Sequence, residues 1–153
     1  MRKLAIFGLF LSLFALGFLR EFIFENINIL LGNKWTQIEV DEYWNGTLNW
    51  LDQFDYWTLY YSKWALTLLS SILFLGLSLA LIWKWFGNRR NIKYALLAFV
   101  GLYLASAVLM GAGWAFGDAN TAYTYARVIM EIPQSPLLAM FLIPVFLLME
   151  NSR

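Results

Sequence analysis

Apolar residues in this chain gather into four uncharged runs, residues 4–19, 64–83, 94–117 and 132–149, and all of the charge lies outside them. A run of about 18 or more apolar residues is long enough to cross a roughly 30 Å hydrocarbon core as a helix. The last three runs meet that length and the first comes close. Backbone N–H and C=O groups find no water in lipid, so each run must satisfy them internally, which a helix does. The pattern predicts an all-α fold: a four-helix transmembrane bundle in a single integral membrane domain over residues 1–153, with helices about 4–24, 62–86, 93–117 and 121–149.

The segment between the first two runs has its own pattern. At helical pitch Trp50, Phe54, Trp57 and Tyr61 fall on one face, and Asp52 and Asp55 on the other. Such a segment is expected to form an interfacial amphipathic helix, aromatics down and carboxylates up. The same stripe can instead pack on the bundle, and either way these four aromatics are candidate partner or interface contacts. Asn45-Gly46-Thr47 matches a glycosylation sequon, a three-residue pattern with no meaning in a bacterial chain.

Charge sets the orientation. Arg2 and Lys3 precede the first run, and Lys84, Arg89, Arg90 and Lys93 separate the second from the third. Residues 21–62 instead carry Glu21, Glu25, Glu39, Asp41, Glu42, Asp52 and Asp55 against a single Lys34. Lysine and arginine bias short loops toward the cytoplasm. Both termini and the 85–93 loop are then expected inside, with the long loop and residues 117–121 outside. One alternative concerns the first run: Arg2-Lys3, an apolar core and Ala15-Leu16-Gly17 are also the parts of a cleavable signal peptide. Phe22-Ile23-Phe24 resumes the apolar character after Arg20 and favours an uncleaved helix.

Composition narrows the chemistry. Hydrophobic residues make up 61% of 153 residues, above the usual share of soluble domains. A net charge of +1 gives no pull toward nucleic acid. Cysteine and histidine are absent, which excludes thiol nucleophiles, Cys/His zinc sites, His-ligated haem and a Ser-His-Asp triad. No metal or cofactor is implied.

Polar residues inside the fourth helix are the candidate site. Thr124, Arg127 and Glu131, then Gln134 and Ser135, recur at spacings of three and four and are expected to share one helical face. Pro133 and Pro136 each remove an amide donor, so a kink or break near residues 132–135 is expected. Broken helices with polar residues at such depth often line binding sites, and they also occur as packing features. Arg20, Glu21 and Lys63, at the outer ends of the first two helices, complete the candidate polar cluster. Gly8, Ser12 and Ala15 on the first helix, and Ala98, Gly101, Ala105 and Ala112 on the third, are the small residues expected to let helices approach closely.

Three stretches carry a family likeness: Phe18-Leu19-Arg20-Glu21-Phe22, Tyr60-Tyr61-Ser62-Lys63-Trp64-Ala65-Leu66-Thr67-Leu68-Leu69, and Arg127 through Ser135-Pro136-Leu137-Leu138 to Leu142-Ile143-Pro144-Val145-Phe146. They resemble the exosortase-associated small integral membrane proteins of Bacteroidota, with Arg20, Arg127, Pro136 and Pro144 at the matching positions. The resemblance implies an accessory role beside a protein-sorting transpeptidase in a bacterial cytoplasmic membrane. The sorting enzyme itself uses a cysteine nucleophile, and this chain has none.

The function expected is therefore that of a non-enzymatic accessory or scaffold subunit, with the lipid bilayer and an exosortase or related sorting component as partners. One alternative is a small transporter or channel subunit using Arg127 and Glu131. It predicts a polar stripe through the inner half of the fourth helix. A second is an intramembrane enzyme acting on a lipid or carbohydrate, which predicts converging carboxylates, and only Glu131 lies within an otherwise apolar segment.

Overall fold

A computed structural model describes residues 2–36 and 48–151. They are all-helical: α1 Arg2–Thr36, a single 3-10 turn at Asn49–Leu51, α2 Tyr56–Phe86, α3 Arg89–Ala115, α4 Ala119–Glu131 and α5 Leu137–Asn151. Three of these helices, α1, α2 and α3, are long and apolar enough to cross a membrane.

The element boundaries differ from the expected ones for local reasons. α1 continues past residue 24 to Thr36 because Ile23, Ile27, Leu30 and Leu31 keep helical spacing beyond Arg20 and Glu21, and Ile27 and Leu30 are buried. α2 starts at Tyr56 because Asp55 caps it: its carboxylate accepts from the Trp57 amide at 3.2 Å and from the Thr58 hydroxyl. The expected amphipathic helix through Trp50, Phe54, Trp57 and Tyr61 is not formed as one element. Trp50 lies in the 3-10 turn, Phe54 in the non-helical residues before Asp55, and Trp57 and Tyr61 on the first turns of α2. The Asn45-Gly46-Thr47 sequon lies outside the described residues.

The expected helix 121–149 is interrupted. α4 ends at Glu131, and α5 begins at Leu137. Pro133 and Pro136 lack amide hydrogens, so the i to i−4 ladder cannot run through them. The Ser135 hydroxyl bridges the gap, donating to the Ile132 carbonyl at 2.8 Å and accepting from the Leu137 amide at 3.4 Å. Pro144, by contrast, is carried inside α5.

The chain divides into two compact units, one of Met1–Gly17 with Ser71–Arg153 and one of Phe18–Ser70. In the first, Leu13, Phe74, Leu81, Ala139 and Ile143 form one buried cluster, and Ile82, Ala95, Phe99, Leu138, Leu142 and Phe146 another. α2 and α5 contribute to both clusters, with α1 joining them in the first and α3 in the second. One close approach depends on glycine. A Cβ on Gly113 of α3 would fall 1.9 Å from the Ala122 Cβ of α4, whereas one on Gly17 of α1 would meet the Pro136 ring at an ordinary contact distance of 3.5 Å. The stripe expected to mediate contact on α1 does not: Gly8, Ser12 and Ala15 are exposed, and Leu13 faces inward instead. Gly101 and Ala105 of α3 are exposed as well, while Ala98 and Ala112 are half-buried.

Polar contacts gather three chain segments at one end of this unit. Arg2 donates from Nε to the Lys84 carbonyl at 2.9 Å and from Nη2 to the Trp85 carbonyl. Buried Asn91 at the start of α3 donates to Glu150 near the end of α5 at 3.2 Å. Gly87, at φ +67°, ends α2, and Asn88 caps α3 by accepting from the Arg90 amide.

In the second unit Ile27, Leu30, Leu51 and Leu59 are buried together, with Phe54 and Leu48 against them. Lys34 closes this unit by donating to the Asp52 carbonyl at 2.8 Å and pairing with its carboxylate at 3.0 Å. With Asp52 largely exposed, the ion pair itself contributes about 0–1 kcal/mol.

Candidate functional site

α4 is built to lie on α3. Its Ala122 and Ala126 are buried, and the buried Ser106 hydroxyl of α3 donates to the Ala126 carbonyl at 2.8 Å. The reversal between the helices is tight. Gly117, at φ +79°, makes the turn, Asp118 accepts from the Thr121 amide, and the Asp118 amide donates to the Gly113 carbonyl at 2.9 Å. With Ala122 and Ala126 facing α3, a 100° step per residue turns Thr124, Arg127 and Glu131 to the opposite side.

That side is exposed. Arg127 Nε pairs with Glu131 Oε1 at 3.0 Å, with side-chain exposures of 57% and 46%. The Thr124 hydroxyl donates back to the Asn120 carbonyl at 3.0 Å. The five-residue face expected from spacing is therefore split. Thr124, Arg127 and Glu131 point outward on α4, Gln134 is 2% exposed beside the helix break, and the Ser135 hydroxyl is spent on the turn. Spacing cannot carry past residue 131 because the helix does not.

Arg20, Glu21 and Lys63 belong to the second unit and are described there. The Arg20 guanidinium lies over the Phe24 ring, 4.8 Å from its centroid, a cation–π contact one helical turn along α1. Glu21 is exposed, Lys63 is half-buried, and the Lys63 carbonyl accepts from Thr67.

Aromatic rings are the other feature of the second unit. Tyr56 touches Trp35, Trp57 and Tyr60; Trp57 stacks on Tyr61, and Tyr60 meets Trp64 edge-on. Trp50 meets Phe54 edge-on at 6.0 Å. Trp35, Trp50, Trp57, Tyr61 and Trp64 are all more than half exposed, whereas Phe54 is half-buried against the local core. Three of the four aromatics expected at an interface are thus available, and Phe54 serves packing.

Asp55 holds its carboxyl below the usual carboxylate range, first because the Thr58 hydroxyl donates to it, an effect that desolvation opposes and the Thr58 and Trp57 amides reinforce. Among the described residues no group of three or more His, Cys, Asp or Glu side chains could hold a metal ion. Sequence reasoning missed Lys34–Asp52, Arg2–Lys84 and Asn91–Glu150, because each joins residues far apart in the chain.

No family model matches this chain, nor does any curated protein or solved structure. What the fold and the site define is a class: a chain all-helical over its described residues, with three helices able to span a membrane and two chemically distinct exposed surfaces.

Proposed function

We propose that this is a polytopic protein of a bacterial cytoplasmic membrane that works by associating with a membrane protein partner, an exosortase or related sorting component, and turns over no substrate of its own. It crosses the bilayer four times, the last crossing made by α4 and α5 in series, with both termini inside. The clustering of Arg2, Lys84 and the start of α3 at one end of the first unit supports this orientation, since it puts the cations on one side.

The observation that carries the association reading is the exposed aromatic surface of the second unit. Trp64 and Trp83 bracket the uncharged part of α2, a length of about 30 Å at 1.5 Å per residue, and fit the two interfacial belts. Trp57 then stands about 10 Å along the helix beyond Trp64. The headgroup layer on one side is only about 5–8 Å thick. Trp57 and its neighbours therefore reach past the lipid, where Trp and Tyr serve protein contacts more than anchoring.

The test is recovery of partners in mild detergent followed by mass spectrometry. Joint truncation, Trp50→Ala with Trp57→Ala, is expected to lower recovery at least tenfold while the protein still inserts. Undiminished recovery from the doubly truncated chain would sink this reading. A transporter would need polar residues continued through α5, which has no charged residue before Glu150.

A further inference from the structure

Six cations gather at the end of the first unit where α1 begins, α2 ends and α3 begins: Arg2, Lys3, Lys84, Arg89, Arg90 and Lys93. The described carboxylate at that end is Glu150, and it accepts from Asn91. Among the described residues no ion pair reaches any of the six. The Arg2 guanidinium lies on the Lys84 and Trp85 carbonyls, so α3 carries most of the uncompensated charge.

Lys93 is one turn from both Arg89 and Arg90, so it neighbours each on the helix surface. The first turn of α3 holds no acidic residue, and the helix dipole is positive there, which disfavours cations. Arg90 is half-buried, and its guanidinium has no hydrogen-bond partner among the described residues. Its Nε is closed off from water without an acceptor, while its terminal nitrogens open to the surface. Such a charged donor calls for an oxygen from outside the chain.

The level of the cluster identifies the anion, and here the inference rests on α1, α2 and α3 crossing the bilayer. Lys3 directly precedes the apolar run at Leu4, Lys84 directly follows Trp83, and Lys93 directly precedes Tyr94. The ends of apolar runs mark the edge of the hydrocarbon, and Trp83 and Tyr94, both 43% exposed, are residue types of the interfacial belt. Arg89 stands only about 6 Å along α3 beyond Lys93, within the headgroup layer. Below Lys93 the same stripe of α3 continues as Leu96, Leu97 and Val100, all exposed. A charged head above an apolar track is the shape of a lipid.

We propose that Arg89, Arg90 and Lys93 bind the phosphate of an anionic phospholipid. The Arg90 terminal nitrogens meet two phosphate oxygens as a planar fork, Arg89 and Lys93 flank the phosphate, and an acyl chain runs down beside Leu96, Leu97 and Val100. A zwitterionic headgroup would bring its own cation into a cluster already short of anions, so the site selects lipids of net negative charge.

The test is titration of the purified chain, in uncharged detergent micelles, with phosphatidylglycerol or phosphatidylcholine, with retained lipid read by native mass spectrometry. Phosphatidylglycerol is expected to be held at least tenfold more tightly. Arg90→Gln and Lys93→Gln should each weaken it about fivefold, the effect of removing one surface cation. Lys93 is exposed, so its replacement leaves the packing untouched. Arg90→Lys should recover only part of the loss, because an ammonium offers no fork. Lys34→Gln, the same change of charge in the second unit, should leave retention within twofold of the parent. Equal retention of the two lipids would overturn the proposal, as would equal losses in Lys34→Gln and Arg90→Gln. So would displacement of phosphatidylglycerol by inorganic phosphate at the same concentration, which would make this a site for soluble anions. Release of the chain from native membranes by alkaline carbonate would instead remove the crossing on which the inference rests.

Discussion

Arg2 and Lys84 are 82 positions apart in the chain, yet the Arg2 guanidinium donates to the Lys84 carbonyl at 2.9 Å and also reaches the carbonyl of Trp85. A cation thus closes the C-terminal end of α2, where unpaired carbonyls collect and the helix dipole is negative. The same contact relieves α1, whose own N-terminus is a poor place for a positive charge.

Replacing Arg2 by Gln should therefore cost about 0.3–1 kcal/mol, read as a lower melting temperature in detergent. Arg2→Lys should recover only part of the loss, because an ammonium cannot reproduce the two-pronged fork. Equal melting of Arg2→Gln and the parent would show that the contact is incidental.

Gly113→Ala separates two effects of opposite sign. Helix propensity alone favours alanine by about 1 kcal/mol. The new Cβ, however, falls 1.9 Å from the Ala122 Cβ, so α3 and α4 must move apart. Overpacking of this kind typically costs about 1–3 kcal/mol, and the net effect should be destabilising. Ala122→Gly in the same chain removes the worst contact but leaves the Asp118 carbonyl oxygen 3.0 Å from the new Cβ, so it should restore only part of the melting temperature. A stabilised Gly113→Ala would mean that the two helices are not in close contact.

Asp55 gives the second unit an acid-sensitive helix start. Its carboxyl titrates below the unfolded value of about 3.8, so the stabilisation is present above that value and is lost as pH falls through the folded one. Lowering pH from 5 to 2 should loosen the Trp57–Tyr61 stack, seen as a change in tryptophan fluorescence. Asp55→Asn, which still offers an oxygen to the cap but does not titrate, should flatten that change. An unaltered pH profile in Asp55→Asn would assign the transition to other carboxylates.

The apolar runs were legible because lipid leaves a long uncharged helix few alternatives. The break at residues 132–136 was legible too, since Pro133 and Pro136 mark it by what they lack. Helix ends were not. Arg20, Glu21 and Glu25 interrupt the apolar run without interrupting the helical spacing of Ile23, Ile27 and Leu30, so α1 outlasts its hydrophobic stretch. Facing was the least legible. Gly8, Ser12 and Ala15 look suited to close approach, but Leu13 and its neighbours find the better packing and turn that stripe outward. Likewise, spacing placed Gln134 and Ser135 with Arg127 and Glu131, and only the break shows that they part.

The orientation we propose rests on the same contacts that join the segments. Arg2 is held against the end of α2, and Asn91 against Glu150, so the N-terminus, the α2–α3 connection and the end of α5 share one end of the first unit. That end holds Arg2, Lys3, Lys84, Arg89, Arg90 and Lys93, and cationic short segments stay on the cytoplasmic side. Gln53 lies beyond the Tyr56 end of α2, among acidic residues, and is exposed. In intact cells an impermeant maleimide should label Gln53→Cys and leave Asn151→Cys unlabelled until the membrane is opened. Because both positions are exposed and the parent chain has no thiol, failure to label reports sidedness. Labelling of Asn151→Cys but not Gln53→Cys would invert the orientation, and labelling of both would mean that α4 and α5 do not complete a fourth crossing.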